Sequence, residues 1–84
     1  MMHDAAGPAS QYSAIVKHSL VIAGHRTSIS LEDAFWQALR RLALRQDLKI
    51  ADLVTQIDAG RGDANLSSAI RVHVLLAEHC SRAR

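Results

Sequence analysis

The sequence predicts a mostly α-helical domain in which one β-strand comes first and three helices follow. Polar and apolar residues alternate over 26–31, and the apolar spacing then changes from two residues to 3.6, which predicts a strand followed by helix. The third observation is size. The chain has 84 residues, 49% of them hydrophobic, and a domain this small buries only about 60% of its surface. We therefore expect a second copy of the chain to complete the core.

Composition excludes several classes of protein. Cys80 is the one cysteine, so no disulfide can form within the chain, and a reducing cytoplasm is the expected compartment. The apolar runs are far shorter than the roughly 18 residues that a membrane span needs, and residues 1–8 lack the pattern of a signal peptide. The net charge is +2, but residues 17–49 contain six Lys or Arg and three Asp or Glu, a net of +3. A nucleic-acid-binding surface is expected in that segment.

The N-terminal part of the chain contains two different segments. Residues 1–14 hold the one proline and no periodic apolar pattern, which predicts a flexible arm. Residues 15–23 are rich in β-branched side chains and end at Gly24, where a positive φ is easily adopted. A short extended segment is therefore expected before the main strand.

The strand at 26–31 has two different faces, because successive side chains of a strand point to opposite sides. The core face carries Thr27, Ile29 and Leu31. The opposite face carries Arg26, Ser28 and Ser30.

This strand needs a partner, because an isolated strand leaves its backbone donors and acceptors unpaired. Residues 19–23 can fold back as a hairpin through Gly24 and His25. The same strand of a second copy can instead pair with it, antiparallel about a twofold axis. The second arrangement also supplies the missing core, so we favour it.

The apolar spacing predicts three helices. The first runs to about Gln46 with Ser30 as its N-cap, and its buried face is formed by Leu31, Phe35, Ala38, Leu39 and Leu42. Phe35 is predicted to lie in the core, and Trp36 at the helix flank or in a dimer contact. The second helix buries Ile50, Leu53, Val54 and Ile57. The third spans 65–82, is capped by Asn65, and is apolar on more than one face, so we expect it to pack on the dimer.

These residues resemble a known family. The segment Arg26-Thr27-Ser28-Ile29-Ser30-Leu31-Glu32-Asp33-Ala34-Phe35, followed by two amphipathic helices, is similar to the ribbon-helix-helix repressors of bacteria. Residues 22–28 and 31–36 resemble a short bacterial subgroup of that family. The resemblance implies an intertwined homodimer whose two strands form an antiparallel ribbon that enters the major groove. It divides the chain into an arm at 1–14, a ribbon-helix-helix domain at 15–58 and an additional C-terminal helix at 65–82.

The resemblance also implies which residues contact DNA. Outward-facing Arg26, Ser28 and Ser30 would read base edges, since arginine can bridge guanine O6 and N7 and serine can donate or accept. Phosphates would be held at the start of the second helix by Lys49 and Ile50. Apart from the resemblance, His25 flanks the strand and is also expected to contact phosphate. Lys49 departs from the family, which often has a small capping side chain there. Asp47 also departs from it, because glycine is common at that position.

Other chemistry is not predicted. His73, His79 and Cys80 share the last helix, but their spacing does not bring the three onto one face, so no metal site is expected. No nucleophile with a base, no paired carboxylates and no phosphate-binding glycine loop is present. We expect a protein that is not an enzyme and needs no cofactor.

The expected function is sequence-specific binding of double-stranded DNA as a transcriptional repressor, in the cytoplasm and on the nucleoid. Two alternatives remain open. One is an antitoxin-like regulator whose C-terminal helix binds a partner protein. The other is a dimeric protein-interaction module that does not bind DNA.

Overall fold

The computed structural model describes residues 14–83, with side chains through residue 79. Two strands come first, β1 (Ile15–Ile22) and β2 (His25–Glu32). Three helices follow, α1 (Asp33–Arg45), α2 (Ile50–Gly60) and α3 (Leu66–Ala83). Only Ala14 of the expected arm falls within this range, and residues 1–13 lie outside the described part of the chain.

The two strands form an antiparallel hairpin, in which Ile22 faces His25 at the turn and Ile15 faces Glu32 at the open end. Ala23 has a φ of 51° and Gly24 a φ of 83°. Two consecutive residues of positive φ are the mark of a type I′ turn, whose twist matches that of the flanking strands. The prediction of a single strand is therefore wrong: β1 supplies the partner of β2, which is the hairpin alternative that the sequence left open.

The hairpin buries one face and exposes the other. On β2, Ile29 and Leu31 are buried and Thr27 is half-buried, while Arg26 and Ser28 are exposed, so the predicted division of this strand into two faces is confirmed. On β1 the inward residues are Val16, His18, Leu20 and Ile22. The helices pack against this inner face, and no element in the described range covers the outer one.

Helix α1 begins directly from the end of β2. The prediction that Ser30 caps it is wrong, because β2 continues through Ser30, which pairs with Lys17, and ends at Glu32. Glu32 occupies the cap position and makes no side-chain capping bond. Instead the Asp33 amide donates to the Ala14 carbonyl at 2.8 Å. The hairpin thus satisfies one of the amides that a helix start leaves without an intrahelical partner.

Trp36, rather than Phe35, is the aromatic residue at the centre of the core. Trp36 is 1% exposed, and its indole N–H donates to the Val16 carbonyl at 2.8 Å. Its ring lies edge-on to His18, with 4.6 Å between centroids. Phe35 is half-buried and packs at the core margin. The two rings therefore occupy the reverse of their expected positions. The reason is that the face of α1 that packs against the hairpin carries Trp36, Leu39 and Ala43.

The other two helices agree more closely with the predicted pattern. Helix α2 buries Leu53, Val54 and Ile57, as expected. Asn65 accepts a hydrogen bond from the Ser68 amide at 3.1 Å, which confirms it as the cap of α3. None of the described helices is long and apolar enough to cross a membrane.

Helix α3 is attached to the C-terminal half of β2 by polar contacts. The Ser67 hydroxyl donates to the Ser30 carbonyl at 3.1 Å. Arg71 holds the Glu32 carboxylate through Nε at 2.9 Å and a second guanidinium nitrogen at 3.5 Å. The hydrogen bonds from Arg71 and from the backbone amide hold the pKa of Glu32 below its ordinary value of 4.5.

Replacing Trp36 tests whether it is the centre of the core. We expect Trp36→Ala to lower the free energy of unfolding by about 3–5 kcal/mol, because it removes a fully buried ring. Leu44→Ala is the matched control, since Leu44 is 81% exposed, and it should change stability by less than about 0.5 kcal/mol. Urea unfolding followed by circular dichroism measures both. Similar losses in the two variants would contradict this account of the core.

The Glu32–Arg71 pair predicts a pH dependence of stability. Because the folded-state pKa of Glu32 is lowered, the pair stabilises the fold above the ordinary carboxyl pKa, and this contribution is lost as pH falls through the folded-state value. We expect Glu32→Gln to reduce stability at pH 7 and the difference from wild type to shrink in acid. Arg71→Gln should do the same, and the double variant should add little. Unfolding curves measured from pH 7 to pH 3 would refute the assignment if the difference stayed constant.

Candidate nucleic-acid interface

The outer face of the hairpin is a two-stranded surface open to solvent. The fourth pair on this side, Ile15 with Glu32, lies at the open end of the hairpin, and the other three pairs are Lys17 with Ser30, Ser19 with Ser28, and Val21 with Arg26. Five of the six residues in these three pairs are exposed and Ser30 is half-buried. We use the term outer face for these six residues.

The outer face has the chemistry of a nucleic-acid contact surface. Lys17 and Arg26 supply two positive charges from different strands. The Ser19 and Ser28 hydroxyls lie 3.5 Å apart and point to the same side. The nearby Glu32 carboxylate is bound by Arg71, so its negative charge is matched by a cation. The face is therefore cationic and rich in hydrogen-bonding groups.

The structure brings the three residues expected to read bases onto one surface. Arg26 and Ser28 lie fully on the outer face. Ser30 lies there as well, but α3 begins beside it and Ser67 binds its carbonyl. Ser30 is consequently less accessible than the other two.

One edge of β2 is open beside these residues. In an antiparallel pair, backbone groups point alternately towards the partner strand and away from it. The Asp33 amide bonds to Ala14, on the β1 side, so every second residue counted back from Asp33 also bonds to β1. The residues between them, Arg26, Ser28 and Ser30, therefore direct their backbone groups away from β1. Helix α3 covers the Ser30 carbonyl, and no strand of the described chain lies beside the stretch at Arg26 and Ser28.

The residues expected to contact phosphate occupy two other places. His25 is exposed and begins β2 next to the turn. Lys49 is exposed at the cap position of α2, and its carbonyl accepts the Leu53 amide at 3.0 Å. Ile50 is the first residue of α2, so this helix begins where the sequence predicts. The Ile50 side chain is half-buried. Lys49 and Ile50 belong to the helical layer, which packs on the opposite face of the hairpin from Arg26.

A second surface lies on α3, away from the hairpin. Val72, Leu75 and Leu76 are 54%, 65% and 60% exposed. Val72 and Leu76 also line an open groove of about 540 Å³ between α2 and α3. This is the type of surface that the antitoxin-like alternative requires.

Metal ligands do not converge in the described part of the protein. Among side chains 14–79, no three His, Cys, Asp or Glu residues lie close enough to hold a metal ion. Cys80 lies outside the range of described side chains.

Sequence reasoning missed the contribution of β1 to this surface. Lys17 and Ser19 join the outer face only because β1 pairs with β2. The available signal was Ala23-Gly24, a two-residue connection that places Lys17 opposite Ser30 once a hairpin is assumed. The contacts of Ser67 and Arg71 with β2 could not be predicted from local sequence patterns, because these residues lie 37 and 39 positions from the groups they bind.

Comparisons with known proteins agree with this architecture. The family model of the ribbon-helix-helix domain matches residues 15–77. A similar solved structure is that of an uncharacterized protein from Bordetella pertussis Tohama I, with a TM-score of 0.77 and 26% sequence identity. The match covers 88% of this chain and 63% of that one, so this chain spans less than two thirds of that protein. No curated protein matches.

The family match includes the hairpin, α1, α2 and most of α3. Ribbon-helix-helix domains are, in general, DNA-binding modules without enzymatic activity. Since the family model matches well over half of the sequence, the chain belongs to the ribbon-helix-helix family of DNA-binding regulators.

Proposed function

We propose that this protein is a homodimeric transcriptional repressor that reads double-stranded DNA with the outer face of its hairpin. The observation that carries the proposal is the exposure of Arg26 and Ser28 on a cationic strand surface that the helices leave uncovered. A repressor of this kind acts by occupying an operator with dyad symmetry, because a twofold protein matches a twofold site.

The chemistry of base reading follows from these side chains. The Arg26 guanidinium can donate two hydrogen bonds to guanine O6 and N7, the commonest specific contact in the major groove. Ser28 can donate to or accept from either base edge, and Ser30 can do so to the extent that α3 leaves it accessible. The Ser19 hydroxyl, 3.5 Å from that of Ser28, would favour some orientations of the Ser28 hydroxyl over others.

Phosphate contacts complete the proposed interface. The first backbone amides of α2, at Ile50 and after it, have no intrahelical acceptor and can bind a phosphate oxygen. Lys49 adds a positive charge there, and His25 can contact the backbone beside the turn. These contacts position the protein on the duplex without reading its sequence.

The proposed dimer uses the open edge of β2. Two β2 strands related by a twofold axis would pair antiparallel through the backbone groups of Arg26 and Ser28, which point away from β1. Helix α3 occupies the edge at Ser30 and Glu32, so the contact between copies would centre nearer the turn. The result would be a four-stranded sheet in which the two β2 strands form the central ribbon.

Removing the two exposed base-reading side chains tests the proposed function. Wild-type protein is first used to select bound duplexes from random DNA. We expect Arg26→Ala/Ser28→Ala to lose preference for the selected duplex over a scrambled one, each bidentate contact being worth about 1–3 kcal/mol of discrimination. Gel shift and fluorescence anisotropy measure the preference.

The control for this experiment is the charge-matched variant Arg41→Ala, because Arg41 is exposed on α1 and is not among the residues proposed to contact DNA. It should keep the preference, and the melting temperatures of both variants should stay near that of wild type. Failure of wild-type protein to enrich any sequence would refute the proposed function.

Blocking the open edge of β2 tests the proposed dimer. The Ser28 amide points away from β1, so Ser28→Pro removes a hydrogen-bond donor from that edge without removing one from the hairpin. We expect wild type and Ser28→Ala to sediment as dimers and Ser28→Pro as a monomer with a similar circular dichroism spectrum. A monomeric wild type at micromolar concentration, or a dimeric Ser28→Pro, would overturn this arrangement.

A further inference from the structure

Strand β1 adds a cation to the outer face that the ribbon-helix-helix resemblance does not assign. Lys17 lies opposite Ser30, is exposed, and projects on the same side as Arg26. Among the described side chains no carboxylate lies within ion-pair distance of Lys17. Its ammonium group is therefore available to an anionic ligand.

The width of the sheet decides where this cation would meet DNA. If two copies pair through β2, the strand order is β1, β2, β2 and β1. Neighbouring strands lie about 4.8 Å apart, so the two outer strands are separated by about 14 Å. The major groove is about 12 Å wide. The central pair can enter the groove, whereas the two β1 strands must lie at its walls, where the phosphates are.

We propose that Lys17 contacts the phosphate backbone at the edge of the major groove, once on each side of the dimer. Arg26 and Ser28 read bases between these two contacts. Lys17 is thus a positioning residue for the recognition surface, and strand β1 is part of the DNA-binding site. This inference rests on the proposed function, because it takes both the duplex and the dimer from it.

The salt dependence of binding tests the role of Lys17. The probe is the duplex selected by wild-type protein, with a scrambled duplex of the same composition for comparison, and affinity is measured across a range of KCl concentrations. We expect Lys17→Ala to weaken binding to both duplexes by the same factor. Since each neutralised phosphate contributes about 0.9 to the slope of log K against log salt, the slope should become shallower by about two per dimer. Lys17→Arg should restore it.

Arg41→Ala is again the matched control, since it also removes one positive charge but from a residue that is not among the proposed DNA contacts. Equal salt slopes for Lys17→Ala and Arg41→Ala would overturn the inference, as would a change in the sequence that Lys17→Ala selects. Circular dichroism and analytical ultracentrifugation confirm that the variant is folded and dimeric. If wild type selects a sequence and Arg26→Ala/Ser28→Ala loses it while Lys17→Ala has no effect, the role of Lys17 fails and the proposed function stands. If wild type selects no sequence, the proposed function itself has failed.

Discussion

The pairing of β1 with β2 in one register is the constraint on which the rest of the structure depends. A two-residue turn with positive φ at Ala23 and Gly24 sets Ile22 opposite His25, and every later pair follows from that one. A slip of one residue would send the side chains of a strand to the opposite face. The core residues Ile29 and Leu31 would then face solvent, so burial of the inner face and composition of the outer face are decided together.

Trp36 links this hairpin to the helices. Its ring is buried between α1 and β1, and its indole N–H donates to the carbonyl of Val16. A buried tryptophan needs such a partner, because an unpaired N–H in an apolar site is costly. The Trp36 ring also contacts His18, which lies on β1 like Val16. Packing as well as hydrogen bonding therefore attaches β1 to α1. The outer face is therefore supported from behind by buried core residues.

Helix α3 contributes to the core and to the control of the sheet edge. Ile70 and Val74 are buried in the core, while Ser67 and Arg71 hold the end of β2. An uncovered strand edge is a template for pairing with another chain. By covering the edge at Ser30 and Glu32, α3 restricts the open part to the stretch around Arg26 and Ser28. In the proposed dimer the same helix would limit where a second copy pairs, and it reduces the exposure of Ser30.

The sequence by itself determined the features that depend on local patterns. The alternation over 26–31 identified which side of β2 faces the core, and so placed Arg26 and Ser28 on the surface. The start of α2 at Ile50 and the Asn65 cap of α3 were also correct, because periodicity and capping involve residues only a few positions apart. The resemblance carried by the strand and first helix led to the correct family.

Only the tertiary structure decided which partners meet. The alternation of polar and apolar residues identifies β2 as a strand that needs a neighbour, but it does not show which segment supplies that neighbour. The hairpin, and the positions of Lys17 and Ser19 on it, could therefore not be predicted from the alternation alone. Phe35 and Trp36 are adjacent, and the way α1 leaves the hairpin determined which ring is buried. The contacts of α3 with Ser30 and Glu32 join residues far apart in sequence. Local pattern defines the faces of each element, whereas packing between elements selects the partner for each face.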